Sequence, residues 1–239
     1  MATIPDETDL LCESCGYTLR GLPVDGRCPE CGKAVFDSTG HDRRLPLWEQ
    51  SDKPGLFPRF LGTTIFLILH PRRFYRTFMT RAPLNRAAAF ARIHWSLNAC
   101  LLALSAFYYL DWYRKNLVFR PPPSPFWLLP FFAGSYLFLS VTTHLAVRLT
   151  VLEASFRGYR LPRHTVLRGM YYHAAHVLPV AAVAAATVLG YRWTLACGLL
   201  NGTSVRLFLF TLCAEVVLGA AYLFETYWIA MRNMMYANR

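Results

Sequence analysis

The sequence predicts a mainly α fold: a four-span transmembrane helical bundle, an additional interfacial or re-entrant helix, and a small β head at the N-terminus. Three observations carry this reading. Four apolar segments each approach the twenty or so residues that a bilayer-crossing helix requires. Most of the Arg residues gather between those segments. Four of the seven cysteines crowd into residues 12–31. With 54% hydrophobic residues, 16% charged residues and a net charge of +11 over 239 positions, the chain is oilier than a soluble core demands. The placement of its basic residues fits the flanks of membrane helices better than a nucleic-acid surface.

Residues 1–40 form the head. The opening "MATIPDETDLL" lacks the basic start and apolar core of a secretory signal, so the head is expected to stay on the reducing side where it is made. There, paired CxxC motifs read as metal ligands rather than disulfides. Cys12 with Cys15 and Cys28 with Cys31 present four thiolates, the donor set of one closed, structural Zn2+ site, with disulfides and iron as the alternatives. Gly16 and Gly32 directly follow the two motifs and suit a tight turn with positive φ. Asp25-Gly26 is a hairpin signal, which predicts two short strands with Tyr17, Leu19 and Leu22 covering one side of the metal. Forty residues hold too little core to fold unaided, so metal binding is expected to supply the folding energy.

"CESCG" and "CPECG" resemble the two knuckles of the zinc-ribbon family, over about residues 10–35. The resemblance implies a structural metal in a module that binds nucleic acid or protein. Arg20, Arg27 and Lys33, with Tyr17 as the one aromatic platform, are a thin basic set, so nucleic acid is disfavoured and a protein partner or a second copy is expected. Cys100, Cys197 and Cys213 lie in or beside apolar segments and read as small packing residues.

Residues 41–55, with Pro46 and Pro54, read as a polar linker, and Trp48 as a contact with the membrane interface. Residues 56–86 read as the interfacial helix and a basic segment. The apolar run from Phe60 to Leu69 reaches only about 15 Å, half of a hydrocarbon core of roughly 30 Å, and should end near Pro71. Residues 87–239 then form the bundle, with spans at about 93–110, 126–147, 169–189 and 207–230. "RPPPSP" is a stiff connector between the first two spans. Thirteen Arg residues flank one side of the spans and five Lys or Arg residues the other, which predicts that both termini are cytoplasmic.

"HPRRFYRTF" before the first span and "LRGMYYHAAHVLPVAA" entering the third resemble Yip1-type proteins, small polytopic membrane proteins that usually have five spans. That resemblance implies membrane organisation or trafficking-type scaffolding and brings no catalytic motif. Ionisable groups in spans are costly and are the usual place to seek function. His144, His173, His176, Glu215 and Glu225 form the candidate polar intramembrane site, together with His94 and Asn98. His176 and Glu225 fall at similar depth, which would allow them to pair, while His173 and His176 share a helix face, a spacing open to a second metal or a proton relay. Glu215 lies nearest mid-membrane. Asp111 is expected to pair with Arg114, and "NGT" at Asn201 matches a glycosylation sequon. HExxH, GxSxG and P-loop motifs are missing. The expected function is a non-enzymatic scaffold or adaptor at the lipid bilayer. The alternatives are a small-solute or ion transporter using the His and Glu residues, and an unfamiliar membrane enzyme.

Overall fold

In the computed structural model, residues 9–52, 55–116, 118, 121–199 and 204–238 are described. The chain is mainly helical. The first helix, α1 (Leu56–Leu69), ends where Pro71 opens α2 (Pro71–Thr77), since proline disfavours helix in the residue before it and is pre-set for a helix start. Next come α3 (Leu84–Asn116) and, after a short 3₁₀ turn capped by Ser124, α4 (Leu128–Arg157). Then α5 (Arg163–His173) is joined to α6 (Val177–Ala196) by a 3₁₀ turn at Ala174–His176, and α7 is Ser204–Met234. The break within the third expected span has a local cause. Pro179 has no N–H for the carbonyl four residues back, and its ring displaces that carbonyl from α geometry. The sequon at Asn201 lies outside the described residues.

Among the described residues, four helical stretches are long and apolar enough to cross a membrane: Leu84–Lys115, Pro125–Arg157, Arg163–Ala196 and Val205–Met234. Only 6% of the apolar window of the second and 11% of that of the fourth is buried in protein. Such helices, apolar on every side, need lipid to cover them. In α1 the exposed residues Phe57, Leu61, Ile65 and Leu69 recur every fourth position, while Thr63, Thr64 and Leu67 face inward.

The chain divides into two compact units. The first comprises Met1–Ala91, Thr143–Ala175 and Thr226–Arg239, and its core joins Trp48, Phe74, Phe78, Phe90, Tyr172 and Met234. Trp48 is not at a membrane surface: it is 6% exposed, with its indole N–H donated to the Arg86 carbonyl at 2.8 Å. Beside it Glu49 accepts from Arg168, 0% exposed, at 2.8 Å and from the Tyr172 hydroxyl. Arg168 also donates to the Met79 and Pro83 carbonyls at 2.9 and 2.8 Å. A charge counted as a membrane flank is thus an internal tie.

The second unit comprises Arg92–Thr142 and His176–Glu225. Trp112, Val188, Tyr191 and Phe208 pack together, with Tyr191 stacked on Phe208 at 4.0 Å. Asp111 does not pair with Arg114. It accepts from Lys115 at 3.3 Å, one helical turn on, and from Arg192 at 2.8 Å, while Arg114 donates to the Pro121 carbonyl.

Candidate metal centre

Each CxxC closes in the same way. The amide of Gly16 donates to the Cys12 carbonyl at 2.8 Å, and that of Gly32 to the Cys28 carbonyl at 2.9 Å. Both glycines have positive φ, 81° and 71°, as the sequence predicts. The amide of Cys12 then pairs with the Tyr17 carbonyl, and that of Cys28 with the Lys33 carbonyl, each at 2.8 Å. The two turns therefore present their sulfurs alike. The Sγ atoms of Cys12 and Cys31 lie 3.5 Å apart, those of Cys15 and Cys28 lie 3.6 Å apart, and all four fall within 4.8 Å of one another. Four thiolates held about 2.3 Å from a common tetrahedral centre would be about 3.8 Å apart, so the donor set fits one metal ion.

The expected pair of strands is not there. The described residues contain isolated antiparallel bridges, Leu11 to Thr18 and Arg27 to Ala34, and no strand. Each knuckle turns back on itself so soon that one residue on either side is left to pair. Nor does Tyr17 cover the cysteine cluster, being 38% exposed; Cys12, Cys28, Leu19 and Val35 form the core there, with Leu10 and Leu22 partly buried against it.

Ionisation of the sulfurs is uneven. Burial pushes Cys15 up to about 12, reinforced by the neighbouring cysteines. Burial also opposes ionisation of Cys12, yet the amides of Cys15 and Ser14 and the adjoining thiols bring it down to about 7. Four thiolates this close repel one another unless a cation lies between them.

The head is seated on other parts of its unit. Glu13, inside the first CxxC, makes a two-pronged ion pair with Arg43, at 2.9 and 3.0 Å. Arg43, 5% exposed, also donates to the Phe78 carbonyl and, from α7, the Asn233 carbonyl. The Asn238 side chain accepts from the Leu11 amide at 3.1 Å and donates to the Leu11 and Ser38 carbonyls at 2.7 and 2.6 Å, acting as a one-residue strand partner. Arg160 donates to the Asp9 carbonyl and, at 2.7 Å, to the Asn238 side chain. Tyr236, in the left-handed region at φ 64°, lays its ring against Gly16, where a Cβ would come within 2.6 Å of it.

No family model, curated protein or solved structure matches the chain. No match stands behind the Yip1-type likeness.

The intramembrane candidates are divided between the two units: His144 and His173 belong to the first, and His176, Glu215 and Glu225 to the second. His144 is exposed, edge-on to Tyr171 at 6.0 Å. His173 is hydrogen-bonded to the Thr226 hydroxyl at 3.1 Å. His176 does not pair with Glu225: its Nδ1 meets the Tyr222 hydroxyl at 2.9 Å, whereas Glu225 is exposed. Glu215 accepts a hydrogen bond from the Thr187 hydroxyl. Among the described residues, the four cysteines are the one cluster of three or more such side chains suited to a metal. Sequence reasoning missed Arg43, Arg160 and Asn238. Their signal was a basic or amide residue lying between structured segments, which composition alone cannot separate from a solvated one.

Proposed function

We propose that the chain is a multi-pass membrane protein whose head holds one structural Zn2+ through Cys12, Cys15, Cys28 and Cys31 and serves as a fixed platform for a protein partner on the cytoplasmic side. The observation that carries this reading is the closed set of four sulfurs within 4.8 Å, which leaves no position for a substrate or a catalytic water. All-sulfur tetrahedral donors favour zinc among common cellular ions. Val24 and Phe36, 54% and 50% exposed, give the head an apolar outer surface suited to a partner. A transport path or catalytic group in the bundle has less support, since His144 and Glu225 are exposed and His173, His176 and Glu215 hydrogen-bond the hydroxyls of Thr226, Tyr222 and Thr187.

The test is cross-linking in native membranes followed by identification of the captured proteins. Val24→Glu with Phe36→Glu is expected to lose partners that the parent chain captures, while zinc content stays at one per chain. An unchanged partner set removes the platform role.

A further inference from the structure

Beside the head lies a cleft of about 590 Å3, within the range of about 300–1,000 Å3 usual for small-molecule sites. Five cations line it: Lys33, Arg43, Arg72, Arg76 and Arg232. Its one carboxylate, Glu13, is already taken by Arg43. Among the described residues, the side chains of Lys33, Arg72, Arg76 and Arg232 have no ion-pair or hydrogen-bond partner. They come from three separately anchored places. Lys33 directly follows the second knuckle, Arg72 and Arg76 stand one turn apart on α2, and Arg232 is in the last turn of α7. Like charges gathered in a concave site without counter-charge favour an anion. Guanidinium groups, which can each offer two parallel N–H bonds, match the oxygens of carboxylate and phosphate, and a cluster of several cations favours phosphate for its higher charge and additional oxygen.

The surroundings point to where that phosphate comes from. Trp228, one turn before Arg232, lines the same cleft and is 49% exposed, the mixed environment of an interfacial tryptophan. The apolar stripe of α1 ends at Leu69, and the α2 cations begin at Arg72, the residue after Pro71's helix start, so they stand at the edge of a lipid-facing surface. We propose that this cleft binds a phosphate group presented as the headgroup of an anionic phospholipid. The proposal rests on the membrane reading and is independent of the platform role.

The experiment uses the full chain, delipidated in detergent, and reads lipid retention by native mass spectrometry. Phosphatidic acid and phosphatidylcholine are compared, with glycerol 3-phosphate as a soluble source and an acidic peptide as a competitor. Retention of phosphatidic acid at least about tenfold above phosphatidylcholine is expected. The pair Arg76→Gln with Arg232→Gln should lose that preference, while Arg76→Lys with Arg232→Lys keeps most of it. Arg148→Gln, an exposed charge outside the cleft, should leave it intact. Unaltered zinc content in each variant shows that the head is still folded. The proposal is overturned by equal retention of both lipids, by equal loss in the Arg148 variant, or by glycerol 3-phosphate or the acidic peptide binding as well as the lipid. None of these outcomes alters the cross-linking result on which the platform role depends.

Discussion

Glu13 and Arg43 meet through two parallel hydrogen bonds, Oε1 to Nε at 2.9 Å and Oε2 to Nη2 at 3.0 Å, with side chains 11% and 2% exposed. Because Glu13 sits between Cys12 and Cys15, the pair transmits the position of the first cysteine turn to the ends of α2 and α7. Arg43→Met removes one partner and leaves the largely buried Glu13 carboxylate without its cation. A loss of about 3–5 kcal/mol is expected, the cost typical of breaking a buried pair. Hydrogen exchange should quicken in residues 9–44 while zinc content holds; unaltered exchange would show that the pair does not seat the head.

Metal analysis of the purified protein should give one zinc per chain. Cys28→Ser leaves three sulfurs and an open position, and structural zinc in small modules contributes about 10–16 kcal/mol of apparent binding energy. The variant is expected to lose the ion on dialysis and to become protease-sensitive between residues 10 and 40. A variant that keeps both its zinc and its resistance would remove the metal from the folding of the head.

The two knuckle glycines separate backbone strain from packing. Gly32 has open space where a Cβ would go, so Gly32→Ala should cost only the left-handed penalty of about 1–2 kcal/mol. Gly16→Ala meets the Tyr236 ring as well and should cost more. Replacing Tyr236 by Ala in the Gly16→Ala background should recover the difference. Equal thermal shifts for the two glycine variants would argue against the contact.

Glu49 holds Arg168 and Tyr172 together, so its removal strands a fully buried guanidinium. Glu49→Ala should cost about 3–5 kcal/mol, and Tyr172→Phe about 1.5–3 kcal/mol, since only one hydrogen bond to the carboxylate is lost there and the Glu49–Arg168 pair remains. Denaturation midpoints in detergent give the comparison. A Glu49 variant as stable as its parent would mean that Arg168 finds equivalent acceptors in Met79 and Pro83.

What was legible in the sequence was local. The spacing of Cys12, Cys15, Cys28 and Cys31, the glycine after each pair and the stop at Pro71 all act within a few residues, and each of these appears in the structure. The four long helices were legible because apolar runs of that length have few other uses. Strands in the head were expected from alternation, which does not report how few residues the turns leave for pairing. The ties of Arg43, Arg168 and Asn238 join positions 30 to 227 residues apart, and no period or spacing encodes such partners. His176 and Glu225 were matched by depth alone, but facing direction decides partners, and the 3₁₀ turn before Pro179 resets it.

The clasp of Asn238 and Tyr236 on the first knuckle imposes an order on biosynthesis. The cysteine turns emerge from the ribosome early, yet the residues that seat them follow 227 positions later, a delay of roughly ten to fifty seconds at about 5–20 residues per second. Through that interval the nascent head carries its four cysteines but has no berth.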